Sequence, residues 1–248
     1  MKTALLAGLL SIAAGLFGQN VIPAGTILPL RLNSSLNSRK SKPGQIITAR
    51  LMQDVPLPSG ARIRAGAKAI GSILEVDEAE NRGGAKISLR FDTLEVAKRK
   101  IPITANLRAL ASMTEVQDAQ LPASGPDRGT SESSWTTVQI GGDVVYRGGG
   151  PVVRGLQVVG VPAPGGVLVR IASKPAAGCR GEIEGNDRPQ ALWVFSADAC
   201  GVYGFPGVSI AHAGRTDPIG RMTLQVTEGE LKIPAGSGML LRVDREAR

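Results

Sequence analysis

The sequence predicts an all-β protein: two mainly antiparallel barrel- or sandwich-like units with little helix. Three observations carry that expectation. Short segments alternate apolar and polar residues, the period-2 signature of half-buried strands. Clusters of Gly, Pro, Asn and Ser separate them. No stretch beyond the first twenty residues shows a helical period. The 248 residues include 32 Gly and 16 Pro, with Gly close to twice its average use. Aromatics make up only 3%, so the core must be built from Val, Ile, Leu and Ala.

The elements follow in order. Met1-Lys2-Thr3 is followed by the apolar run ALLAGLLSIAAGLFG and then polar Gln19 and Asn20. This is the layout of a secretory signal peptide, expected over 1–19. An uncleaved anchor is the alternative, although the run is short for a spanning helix of ~20 residues. The expected location is periplasmic or secreted. Residues 20–110 hold TILPLRL, GQIITARLM, AKAIGSILEV, AKISLRF and KIPITANL, each strand-like, separated by turn clusters such as NSSLNSRKSKPG and DEAENRGG. Five strands at even spacing point to a small barrel-like domain. Residues 111–134 are polar, carry two prolines and lack a hydrophobic period, so they read as a linker. From 135 to 248 the β pattern resumes in WTTVQI, GLQVVGV, GVLVRIA, ALWVFSA, GVSIAHA, MTLQVTE and GMLLRV, with glycine-rich separators. This half reads as a sandwich-like second domain.

Ile22-Pro23-Ala24-Gly25 and Ile233-Pro234-Ala235-Gly236 spell the same corner at the two ends of the chain, and Leu57-Pro58-Ser59-Gly60 echoes it. Pro fixes φ at the second position of a type I turn and Gly is favoured at the fourth. Each corner should launch a strand.

Charge is divided. The net charge is +8, yet between Arg31 and Arg108 fifteen Lys or Arg face seven Asp or Glu, and from residue 109 onward thirteen face fourteen. A basic N-terminal domain can meet an anionic polymer, a lipid surface or an acidic partner. The export signal argues against nucleic acid. A solvated β surface is the plainer alternative.

The two cysteines, Cys179 and Cys200, suit one disulfide in an exported protein. Closing a loop of about 20 residues would contribute roughly 3 kcal/mol in the chain-entropy picture. Two buried thiols are the alternative.

The stretch from Ile22 to Val76 resembles the β-rich domain of TrbI-type conjugation proteins, outer-membrane core components of type IV secretion channels. It is also similar to small exported acidobacterial proteins with the same pattern: Ile-Pro-x-Gly-Thr, an alternating strand, Gly and a strand, a second turn, then Gly-Ala before Ile-Gly. The likeness runs from Val21 to about Glu95. It implies a β-rich envelope domain, a possible outer-membrane association and possible oligomers. The inner-membrane helix, long proline-rich stretch and helical pore insertion typical of channel members are not visible, which separates this chain from a channel role.

Catalytic chemistry is poorly supplied. One His and two distant Cys make no zinc set, and no P-loop or EF-hand is present. His212 is the only candidate base for a hydrolase; strict alternation along VSIAHA would put it and Ser209 on opposite strand faces. No catalytic residue and no cofactor are expected. Four of the seven aromatics beyond residue 19 fall in one segment: Trp193, Phe195, Tyr203 and Phe205. Trp193 and Phe195 should share a strand face, as should Tyr203 and Phe205. They form either a small core locked by the disulfide or a platform for sugar or peptide, with Trp193 and Tyr203 as the surface and Asn186, Asp187 and Arg188 at the rim. The expected function is an exported, non-catalytic structural or interaction module of the bacterial cell envelope. A glycan- or peptide-binding module is the alternative, and an envelope hydrolase a more remote one.

Overall fold

A computed structural model describes residues 21–78, 83–121, 136–142, 144–146, 152–154, 156–163, 166–169, 192–196, 199–213 and 218–244. In chain order the strands are β1 (Ile27–Leu32), β2 (Leu36–Asn37), β3 (Ile46–Leu51), β4 (Val55–Pro56), β5 (Arg62–Ile63), β6 (Lys68–Asp77), β7 (Lys86–Val96), β8 (Arg99–Pro102) and β9 (Ala105–Ala111). One short helix follows, α1 (Met113–Asp118). Then come β10 (Thr136–Val138), β11 (Val144–Tyr146), β12 (Val152–Arg154), β13 (Gln157–Ala163) and β14 (Gly166–Val169). The chain closes with β15 (Gly201–Tyr203), β16 (Val208–Ala213), β17 (Met222–Val226), β18 (Lys232–Ile233) and β19 (Gly238–Val243). The fold is all-β, as the alternation predicts.

Ten strands form one sheet in the order β15-β9-β19-β1-β3-β6-β7-β17-β16, with β8 beside β17 on the same edge of β7. Its end strands β15 and β16 come back into contact, so the sheet curls into a nearly closed barrel. Alternation sets the inside: Leu28, Leu30 and Leu32 on β1, Ile47, Ala49 and Leu51 on β3, Ala69 and Ile73 on β6, and Ile87, Leu89 and Phe91 on β7 are buried. Among the described strands every pairing is antiparallel except β15 with β9. A parallel pair needs a long crossover. Here the crossover is the whole excursion from Ser112 to Cys200, and it carries the second, five-stranded sheet β10-β11-β14-β13-β12.

The barrel therefore draws on both sides of the 111–134 stretch. β19 sits between β1 and β9, and β17 extends β7. Met222, Leu224, Leu231, Ile233, Met239 and Leu241 join the N-terminal leucines in one core. The two halves share it because β1 and β9 each have a hydrogen-bonding edge that only a later strand fills.

The twin corners now have a structural meaning. Thr26 N–H bonds Pro23 C=O at 3.2 Å and Ser237 N–H bonds Pro234 C=O at 3.3 Å. Pro thus stands first in each turn and Gly third, with φ of +84° at Gly25 and +93° at Gly236. The expected register, Pro second and Gly fourth, holds for Leu57–Gly60, where Gly60 N–H bonds Leu57 C=O at 2.9 Å. Left-handed φ at the third position is the requirement of a type II turn, which Gly meets without strain. The first corner donates from Gly25 N–H to Val243 C=O (2.8 Å), at the end of β19. The second donates from Gly236 N–H to Leu32 C=O (2.7 Å), at the end of β1. The two corners seal opposite ends of one antiparallel pair.

Two sequence expectations change. The stretch 111–134 begins with α1 rather than a linker: Ser112 Oγ accepts from Glu115 N–H at 3.2 Å, and Val116 is buried. Six residues are too few to display a helical period. The segment ALWVFSA, expected as a strand, is a tight turn over its described residues. Leu192 and Phe195 exchange backbone hydrogen bonds of 3.1 and 3.0 Å around Trp193, whose φ is +58°. α1 and this turn cover the outside of the barrel, where Val116, Ala119, Leu192 and Phe195 pack on Ala109, Ala111 and Leu240. No helix among the described residues is long and apolar enough to cross a membrane.

Candidate interaction surface

Opposite the inward leucines each strand must present something to water, and at one level of the barrel that something is a cation. Arg31 on β1 pairs with Arg50 on β3. Arg50 pairs with Lys68 on β6, Lys68 with Glu95 on β7, and Glu95 with Lys100 on β8. Residues directly opposite share a sheet face. Arg31, Arg50, Lys68 and Lys100 are exposed and Glu95 is half-buried. With strands about 4.8 Å apart, the row runs roughly 19 Å across five strands. None of its four cations has a hydrogen-bond or ion-pair partner among the described residues. The neighbouring outward row, Thr48, Ile70, Thr93 and Pro102, is neutral.

The row ends beside the β7–β8 hairpin. Val96 pairs with Arg99, so Ala97 and Lys98 form a two-residue loop. Their φ values are +48° and +69°. This is the left-handed pair that two-residue hairpins require and that Asn-Gly usually supplies. Here the strained position carries Lys98, followed by exposed Arg99 and Lys100.

Several other charges are paired. Arg64 bonds Asp54 at 2.9 Å, and Ala65 N–H donates to the same carboxylate at 2.9 Å. The Ala65 amide, with the Arg64 guanidinium, holds the Asp54 carboxyl below its usual range. Across β6, β7 and β17, Arg221 bonds Glu75, and Lys86 reaches Asp77 at 2.7 Å and Glu75 at 3.7 Å. The hydrogen bond to Asp77 pushes the Lys86 ammonium up. Beneath them Ser88 and Thr223 share a buried hydroxyl hydrogen bond of 2.9 Å. These groups fasten strands.

A second feature is a cleft of about 320 Å³, walled by the Pro23–Ile27 corner, Pro29, Gln53, Val55, Pro56, Pro58 and Leu192. Trp193 N–H donates to Gln53 Oε1 at 2.5 Å, and Gln139 Nε2 donates to Trp193 C=O at 3.2 Å. The turn around Trp193 is thereby tied to the cleft.

The expected sharing of strand faces changes, while Trp193 and Tyr203 both pack on the outer cluster. The left-handed turn takes half-buried Trp193 off the line of Phe195, which is wholly buried. Tyr203 packs on the outer cluster and Phe205 on the barrel core, separated by Gly204 at φ +68°. Tyr203 Oη accepts from Cys200 N–H at 3.1 Å. Asn186, Asp187, Arg188 and Cys179 lie outside the described residues, so neither the rim nor the Cys179–Cys200 bridge is described. The backbone register shifts between Ile210 and His212, a β-bulge in β16. Asp217 lies outside the described residues.

The cationic row escaped sequence reasoning. Its signal was present as one cation flanked by apolar residues in each of LRL, ARL and AKA, but only the register aligns them. Comparison with protein-family models and with curated proteins finds no match.

Proposed function

We propose that this protein is an exported, non-catalytic interaction module of the bacterial cell envelope, whose basic barrel face engages an anionic polymer or partner protein. The observation that carries the reading is the row Arg31–Arg50–Lys68, three cations on three adjacent strands with no counter-charge among them. Like charges directly opposite each other destabilise a sheet. A solvated surface gains nothing by lining them up, whereas an anionic partner repays the repulsion. Export and a Cys179–Cys200 bridge belong to the same reading.

The test is cross-linking of the native envelope, followed by size fractionation and immunoblotting. The protein should migrate in a large assembly, and the double substitution Arg50→Glu with Lys68→Glu should release it as a monomer. Unchanged migration of that variant would sink the reading, and two free thiols in the purified protein would sink the export component.

A second reading is favoured by the proline-walled cleft: a short peptide or glycan seated between the Pro23–Gly25 corner and Leu192. Loss of peptide or glycan binding in a folded Trp193→Ala variant supports it.

A further inference from the structure

We propose that the cationic row is the track of a linear polyanion, a chain bearing one carboxylate or phosphate per repeat, laid across the strands from Arg31 to Lys100 and gripped at its end by the β7–β8 tip. This rests on the reading that the basic barrel face takes an anionic partner, and it specifies which kind.

Three observations select a chain over a flat surface or a globular acidic protein. First, the cations of β1, β3 and β6 that face outward, Arg31, Arg50 and Lys68, fall in one lateral row. The next outward row, Thr48–Ile70–Thr93–Pro102, is neutral, so the charge forms a line rather than a patch. Membranes and broad acidic protein faces are met by charge spread in two dimensions. Second, the row runs perpendicular to the strands, so its charges recur at the inter-strand spacing of about 4.8 Å. A polymer with regularly repeated charges can follow that spacing, and a single small anion can use only a fraction of it. Third, the row ends at a strained loop. Ala97 and Lys98 hold left-handed φ values of +48° and +69°, which Gly and Asn adopt at far lower cost. Keeping Lys at the second of these positions places Lys98, Arg99 and Lys100 consecutively at the tip.

Glu95 also fits the track. Flanked by Lys68 and Lys100 and ion-paired with neither among the described residues, it interrupts the row. That favours a chain with spaced anions over one of continuous charge density.

The test is calorimetric titration of the intact protein with galacturonate oligomers, a dimer and a decamer, and in parallel with tripolyphosphate and long-chain polyphosphate. The decamer or the long phosphate chain should bind at least ten-fold tighter than its short counterpart. Four neutralised contacts at about 0.7 each give a slope near −3 for log affinity against log salt, or roughly fifty-fold between 50 and 200 mM. Arg50→Ala should reduce that slope by about 0.7, while Lys40→Ala, the same charge change in the exposed turn before β3, leaves it unaltered. Lys98→Gly should raise the melting temperature and weaken polymer binding. The better of the two polymers identifies the anion as carboxylate or phosphate.

Equal affinity for short and long chains would overturn the track and leave the basic-face reading standing. So would equal losses from Lys40→Ala and Arg50→Ala, which would mean bulk charge attraction. If neither polymer binds and the basic-face variants leave the native assembly intact, both readings fall.

Discussion

At the scale of the residue, two glycines with different roles show what each position demands. Gly71 on β6 lies opposite a bulge in β7, where an added Cβ would sit 1.9 Å from Arg90 C=O. No rotamer relieves a clash with backbone, so Gly71→Ala must push two core strands apart. Gly25 has φ +84° and nothing within 4 Å of its would-be Cβ. There the cost of Ala is purely conformational, about 1 kcal/mol. Urea denaturation should show a loss of about 3 kcal/mol for Gly71→Ala and only about 1 kcal/mol for Gly25→Ala; equal losses would contradict the close approach of β6 and β7. The need for Gly25 was legible in its Pro-Ala-Gly setting. The need for Gly71 was not, because it arises from a strand some twenty residues away. Trp193 makes the same point: its strand-like neighbours hide a left-handed turn that is held by Gln53 and Gln139 from distant segments.

At the scale of the element, short-range charge pairs hold turns and edges, and their titration gives stability a pH profile. Asp54 fastens the turn before β6, and Glu230 bonds Lys232 at 2.7 Å beside β18. Lys232 holds the Glu230 carboxyl below its usual range. A carboxyl whose folded pKa is depressed contributes stability above its unfolded pKa and loses it as pH falls through the folded value. Lys86 is shifted the other way. Its contribution is complete below the unfolded pKa and is lost as pH rises through the raised one. The urea midpoint should therefore be flat through neutrality, falling below about pH 4 and again above about pH 10. Asp54→Asn should flatten part of the acid limb; an acid limb unchanged by that substitution would show that the contact stores no stability. The strands themselves were legible because alternation is local. α1 was not, since a single buried Val116 leaves no period to detect.

At the scale of the whole molecule, the barrel depends on strands from both ends of the chain. β19 supplies the hydrogen-bonding partner for both β1 and β9, and β17 extends the sheet beyond β7. Residues 20–110, which the sequence presents as a domain, lack these partners and the core side chains Met239, Leu241, Met222 and Leu224. Expressed alone, that fragment should show no cooperative unfolding by circular dichroism. A sharp two-state transition would mean the N-terminal strands close on themselves. The twin Ile-Pro-Ala-Gly corners were the one long-range hint in the sequence, since they turn out to brace opposite ends of the β1–β19 pair.

What the sequence determined by itself was everything written in short-range chemistry. Alternation set the all-β class and the inward faces, Pro and Gly set the corners, and the count of Lys and Arg set a basic N-terminal half. What only the tertiary structure decided was pairing: which edge of β1 is filled by β19, that one core spans both halves, and that Arg31, Arg50 and Lys68 stand in line. The reason is physical. A strand's own residues fix its periodicity, but its neighbours are chosen by burial and backbone hydrogen bonding across the closed sheet, and these depend on the rest of the chain.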